Sequence, residues 1–264
     1  MGTIKTYFGC AGMRGPLETY GKRYDLLELD VLDKEAALRT PTFRKWRKEA
    51  GPRLQFSLVA PRAVSAVRPT PELDASLAKL LEAQRLLQAR FVLLATPVEV
   101  TPAPLPRERL TKVVDRIREG LGDARDVVRI AWQPRGLWEL DDAAELARKL
   151  GIDIAADPLA DPREPFWDDA LRYLRLSAVG GRQVFPQMRL RAVADLLVAS
   201  QRDAEADGRD IERAVVFTTP KAPTEAKKLR LLVKQQLAKS PEGGGGRVIS
   251  PRGAAPRDRG EEEE

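Results

Sequence analysis

Carboxylates, arginines and a single thiol are the side chains in this 264-residue chain that could do chemistry. Histidine is absent, which excludes histidine metal ligands, a Ser-His-Asp triad and an imidazole proton shuttle. Glu28, Asp30 and Asp157 lie within or at the ends of short apolar runs, as does Arg175, while Arg62 and Arg135 sit just past two more. A guanidinium is a planar fork that holds a carboxylate or phosphate through two parallel hydrogen bonds. These residue types suit a small anionic substrate bound by Arg62, Arg135 and Arg175. Gln133 and Tyr173 would add hydrogen bonds, and Glu28 or Asp157 would be the general acid or base.

A second reading stays open. Buried charges are costly unless paired, so Glu28–Arg135 and Asp157–Arg175 could be ion pairs that only fill space. Glu28, Asp30 and Asp157 could also hold a hard cation such as magnesium, but the nearby arginines argue against it and no metal site is expected. Cys10, in Gly9-Cys10-Ala11-Gly12, lacks a histidine to lower its pKa, so it is expected to be a buried, inert thiol.

The elements that must position these residues can be read from periodicity. Eight short apolar runs alternate with helical patterns: 4–9, 25–31, 54–60, 90–95, 127–133, 153–157, 171–177 and 214–218. Strands alternating with helices imply βαβ units and a parallel sheet, and eight units imply closure, which removes both sheet edges. The expectation is an α/β fold, a (β/α)8 TIM-type barrel over residues 1–238. Helix punctuation agrees with it. Thr40-Pro41 and Thr70-Pro71 read as an N-cap followed by proline at the first helical position. Leu73, Leu77, Leu80, Leu81 and Leu87 form one helical stripe, and Leu110, Val113, Val114, Ile117 and Leu121 another. Gly15–Arg23 leaves room for only a short first helix. The prolines at 158, 162 and 165 make the sixth crossover mostly loop, on which Phe166-Trp167 serves as an anchor or a lid.

Side chains alternate along a strand. Charges are poorly tolerated beneath helices, so Glu28, Asp30, Ser57, Gln133, Asp157, Tyr173 and Arg175 are assigned to the barrel axis. Active sites of such barrels lie at the carboxyl ends of the strands. Residues 239–264, with the Gly243–Gly246 run and the closing Glu261–Glu264, cannot bury a core and are expected to be a disordered tail.

Composition bounds the rest. A hydrophobic fraction of 43% supports a core. The net charge of +6 is too diffuse for a nucleic-acid stripe. The basic run Arg44-Lys45-Trp46-Arg47-Lys48 reads as a solvated outer helix whose Trp46 and Phe43 cover the barrel, so a nucleic-acid partner is not expected. One cysteine suits a reducing cytoplasm, and no apolar run is long enough to span a membrane. The sequence names no cofactor and no oligomeric state.

Several of these stretches together resemble the YecE-like proteins, known as domain of unknown function 72. The most specific is Trp132-Gln133-Pro134-Arg135-Gly136-Leu137-Trp138. Gly9-Cys10-Ala11-Gly12, Leu27-Glu28-Leu29-Asp30, Phe56-Ser57-Leu58-Val59-Ala60-Pro61-Arg62, Tyr173-Leu174-Arg175-Leu176-Ser177 and Val216-Phe217-Thr218-Thr219 support it. The resemblance covers nearly all of residues 3–238 and implies a TIM barrel with a charged pocket and no established reaction. Glu28, Arg62, Arg135, Asp157, Tyr173 and Arg175 match the family pattern. By that resemblance, Gln133 stands where the family has a glutamate, Val59 for a lysine, Leu94 for a glutamine, Ser177 for a histidine, and Thr218 and Thr219 for asparagines. Glutamine keeps the shape of glutamate but loses its basicity. The expectation is a divergent member that binds a small anionic metabolite, with a catalytically inert binding or scaffold protein as the alternative.

Overall fold

The computed structural model describes residues 3–33, 40–158, 171–177 and 184–239. Eight parallel strands close into one barrel in chain order. They are β1 (Ile4–Ala11), β2 (Leu26–Leu29), β3 (Gln55–Val59), β4 (Phe91–Ala95), β5 (Arg129–Gln133), β6 (Asp153–Ala156), β7 (Tyr173–Leu176) and β8 (Ile211–Phe217). The described helices are α1 (Leu17–Gly21), α2 (Thr40–Ala50), α3 (Arg62–Ser65), α4 (Pro71–Leu87), α5 (Pro104–Leu121), α6 (Leu140–Leu150), α7 (Gln187–Ala206) and α8 (Ala222–Leu237).

The anticipated helical stripes are the buried faces. Leu73, Leu77, Leu80 and Leu87 of α4 are buried and Leu81 is half-buried against the same core; Leu110, Val113, Val114, Ile117 and Leu121 of α5 are buried. Thr70 is the extended N-cap of α4 with Pro71 at its first turn, and Gln88 ends it in the left-handed conformation. α1 is short, as the sequence requires. The single turn of α3 has no stripe to announce it.

Alternation along the strands sorts two cores. Leu27, Leu29, Ile130, Trp132, Leu174 and Leu176 pack outward under the helices. Leu26, Phe91, Leu93, Ala131, Ala155, Tyr173, Ala214 and Val216 fill the barrel axis. Leu94 belongs to the outer core, so the family glutamine matched to it has no counterpart in the interior; Ala95, one residue on, lies at the mouth.

Closure differs from expectation at β8, which begins at Ile211 rather than Ala214. Ile4 pairs with Ile211, and the ladder runs in register to Cys10 and Phe217. Ile211-Glu212-Arg213 reads as polar, but both charges have places. Glu212 faces inward and accepts from Arg90 Nε and Nη2 (2.7 Å each) and from the Tyr7 hydroxyl (3.0 Å). Arg213 faces outward under α7, where it donates to the Leu197 carbonyl and Ser200 Oγ. At the same amino-terminal end of the barrel, Arg129 grips Asp153 (2.7 and 2.5 Å).

In the basic run, Phe43 is buried and stacks edge-on with Trp46. Arg47 is turned away from solvent: it donates to the carbonyls of Leu87, Gly51 and Leu54 and lies over the Phe56 ring. Arg44, Lys45 and Lys48 are the solvated members of the run. The Phe166-Trp167 pair, most of the proline-rich sixth crossover and residues 240–264 lie outside the described residues.

Candidate functional site

The carboxyl end of the barrel carries a polar network built on β2, β3, β5 and β7. Glu28 is fully buried. Its Oε2 accepts from the Tyr173 hydroxyl (2.8 Å), and its two oxygens accept from Arg175 Nε (3.1 and 3.2 Å) and Nη2 (3.0 Å, to Oε1). Tyr173 has one proton and gives it to the carboxylate, so Ser57 Oγ, 2.7 Å away, must donate to Tyr173. Arg175 Nη1 donates to Gln133 Oε1 (3.3 Å). A buried carboxylate persists when several donors and a cation offset its desolvation, and here both are present.

This differs from the pairing expected from sequence. Glu28 takes Arg175, not Arg135, as its partner. Glu28 and Arg175 both point along the barrel axis, whereas Arg135 follows Pro134 beyond the end of β5 and is exposed. Asp157 does not pair with Arg175 in this set; its Oδ2 accepts the Ser177 backbone N–H (2.7 Å) just past β7. Ser177 Oγ and Thr218 Oγ1, where the family pattern has histidine and asparagine, lie 3.1 Å apart.

Electrostatics follow burial. Burial, then the neighbouring Glu28 charge, pushes the Tyr173 phenol well above its ordinary value, so Tyr173 is a hydrogen-bond donor and not an acid near neutrality. Burial alone would lower the Arg175 pKa; the Glu28 carboxylate outweighs it and the net shift is upward. Arg175 therefore keeps its charge.

Above this network lies an open cavity of about 410 Å³ at the carboxyl ends of β2–β5. It brings together all three expected arginines, Arg62, Arg135 and Arg175. Asp30, Asp33 and Glu99 also line it, as does Val59. Gln133, Tyr173 and Glu28 stand behind Arg175 rather than on the wall, and Asp157 is not on the wall either. Asp33 anchors the rim by accepting the Arg62 backbone N–H (2.7 Å). Asp33 and Glu99 escape a sequence reading because they sit in strand-to-helix loops, where no periodicity marks them; their position after β2 and β4 is the usable signal. Among the described residues, no three acidic or cysteine side chains are grouped to hold a metal ion.

The loop after β5 is held rigidly. Trp132 Nε1 donates to Thr96 Oγ1 (3.0 Å), and Trp138 Nε1 donates to the Val100 carbonyl (2.6 Å). The two indoles meet edge-to-face with centroids 4.8 Å apart, and the Arg107 guanidinium caps Trp138. Between them Gly136 takes φ +79° and turns the chain against Val98. The Trp132–Trp138 motif thus fixes the base of Arg135.

A larger hollow of about 750 Å³ opens at the opposite end, between α4 and α5. Two of its polar groups are committed elsewhere: Arg90 to Glu212, and Gln84 to the Ala89 carbonyl. The mouth is the better candidate because it lies at the carboxyl ends of the strands and gathers Arg62 and Arg135, neither of them paired with a carboxylate among the described residues.

Cys10 is buried beside Tyr20. Burial raises its thiol from an ordinary 9.0 to about 11, which leaves almost no thiolate near neutrality.

No protein-family model matches the chain, and no curated protein matches it. Solved structures match in fold. A DUF72 family protein from Enterococcus faecalis V583 aligns with a TM-score of 0.63 at 12% identity, covering 90% of this chain and 96% of that one. A DUF72 family protein from Thermotoga maritima MSB8 aligns at 0.57 and 13% identity, over 89% and 100%. A D-psicose 3-epimerase from Clostridium cellulolyticum H10, solved with D-tagatose, aligns at 0.57 and 10% identity, over 90% and 99%. The property shared at these identities is the barrel. DUF72 proteins, the family that the sequence motifs resemble, are among the solved structures alike in fold. No described helix is long and apolar enough to cross a membrane.

Proposed function

We propose that the protein binds a small molecule with an anionic group in the cavity at the carboxyl ends of its strands. The observation that carries this reading is the meeting of Arg62, Arg135 and Arg175, from the ends of three separate strands, on one cavity wall. The Arg62 and Arg135 guanidiniums make no hydrogen bond or ion pair among the described residues. At the other end of the same barrel, Arg90 and Arg129 are each paired with a carboxylate. Cations left uncommitted at the functional end of this fold are suited to a ligand's anion.

In this reading Glu28 is a positioning residue. Its hydrogen bonds hold Arg175 toward the cavity and occupy both carboxylate oxygens, so it has no free edge for proton transfer. Asp157 is the remaining acid–base candidate. The Ser177 backbone N–H holds it in place through Oδ2.

The test is a thermal-shift screen of the purified chain against phosphorylated and carboxylated metabolites. A ligand at a hundredfold excess over its Kd stabilises by about 2.7 kcal/mol, a shift of a few degrees in a domain this size. A shift that saturates in the wild type and disappears in Arg135→Ala is expected. A flat screen on well-folded protein would overturn the reading.

A further inference from the structure

We propose that the ligand of this pocket is bipolar, carrying an ammonium group together with its anionic group. This rests on the reading of the mouth as a ligand site and concerns which ligands it accepts.

The sign of the charge alternates around the rim. The loop after β2 brings Asp30 and Asp33, the segment after β3 brings Arg62, the loop after β4 brings Glu99, and the loop after β5 brings Arg135. These four strands are consecutive neighbours in the barrel. Arg175 rises from below, already neutralised by Glu28, and Asp30 is near enough to act on its charge. Asp30, Glu99, Arg62 and Arg135 form no ion pair with one another within hydrogen-bonding reach, although opposite signs alternate. All four are exposed at the rim, so each can meet a ligand.

A purely anionic molecule fits this rim poorly. Wherever it meets Arg62 or Arg135, a carboxylate stands on the adjacent strand, and its repulsion offsets much of the attraction. A purely cationic molecule meets the converse problem. A molecule with both poles satisfies both sets: its anion against Arg62 or Arg135, its ammonium against the neighbouring Asp30 or Glu99. The carboxylates are not grouped to enclose a metal ion, which suits an ammonium held by single hydrogen bonds. The volume of about 410 Å³ is that of a small-metabolite site.

The experiment is isothermal titration calorimetry of the full-length chain at pH 7.5 with two matched pairs of probes. One pair is O-phosphoethanolamine and ethyl phosphate; the other is 4-aminobutyrate and butyrate. Within at least one pair the amine-bearing probe is expected to bind about tenfold tighter, the worth of one well-placed charge contact. The double variant Asp30→Asn, Glu99→Gln should erase that preference while keeping affinity for the anion, and Arg135→Ala should weaken both members. All three positions are exposed, so the fold is expected to tolerate the changes. Equal or tighter binding of the amine-free probes would overturn the bipolar ligand and leave the anion pocket standing. A neutral polyol such as glucitol binding as well as the amine-bearing probes would also overturn it. No heat with any probe, together with a flat thermal-shift screen, would remove the pocket and the inference with it.

Discussion

Tyr173 joins the packed interior of the barrel to the charges at its mouth. Its ring meets Phe91 edge-on at 5.9 Å, and its hydroxyl accepts from Ser57 while donating to Glu28. Tyr173→Phe keeps the ring and leaves Glu28 and Ser57, both fully buried, each short of a partner. Unfolding in urea should show a loss of about 1–3 kcal/mol, the usual range for a buried polar group left unsatisfied. Arg175→Ala strands the Glu28 carboxylate and should cost more, about 3–5 kcal/mol. If Arg175→Ala proved milder than Tyr173→Phe, the cation would not be what makes Glu28 tolerable inside. The thiol of Cys10 gives a pH test. Its folded pKa is raised to about 11 from 9.0 by burial, so its contribution to stability is complete below pH 9 and lost as pH rises from 9 toward 11. Cys10→Ala should lose less stability than the wild type between about pH 8 and pH 10.5 in paired denaturation curves. At this scale much was legible in the sequence. Parity placed Glu28, Tyr173 and Arg175 on the axis because strand alternation is rigid. The partner of Glu28 was not legible, because parity gives a direction and not a depth. Arg175 and Glu28 both lie within strands and meet at the axis, while Arg135 lies past a strand end.

At the scale of elements, β8 and the loop after β5 show two ways in which local sequence understates structure. Ile211-Glu212-Arg213 lacks the apolar alternation of a strand, and only the ladder with β1 reveals it. Tertiary pairing supplies what local pattern withholds. Arg213 lies 1% exposed under α7, its Nε without a partner among the described residues, and burial followed by the nearby Arg172 charge lowers its pKa to about 10. Its cost is in place throughout the pH range below 10, where it is charged both folded and unfolded. Arg213→Met keeps much of the aliphatic stem and removes the buried charge, so melting should be unchanged or higher. A large drop would mean that the bonds to Leu197 and Ser200 carry the α7 contact. Gly136 is the opposite case, a residue whose role depends on having no side chain. A Cβ there would stand 2.7 Å from the Val98 carbonyl oxygen at a φ of +79°. Gly136→Ala should cost at least about 1 kcal/mol and displace Arg135. Calorimetry with the best anionic probe should then show weaker binding than the loss of stability alone explains.

For the whole molecule, the barrel is a closed object whose last strand pairs with its first and whose last helix packs back on both. β8 completes the ring through its seven-residue register with β1, and α8 buries Ala226, Leu229 and Val233 against that seam. The seam is reinforced by long-range bonds: the Tyr24 hydroxyl donates to the Pro223 carbonyl, and Arg230 reaches Asp25 at 3.2 Å. These contacts join the first part of the chain to α8. The eight strands were legible because closure needs only a repeated apolar pattern, whereas the arrangement of loop charges at the mouth depends on tertiary geometry that no period encodes. From the composition beyond α8, with four glycines in a row and a run of four glutamates, the expectation is a tail that adds nothing to the core. A chain ending at Lys239 should therefore melt within about a degree of the full-length protein, since surface changes away from packed features usually fall within about 0.5 kcal/mol. Scanning calorimetry on the two chains decides this. A truncated chain that melts several degrees lower would mean that the tail packs on the barrel, and the boundary at residue 238 would move.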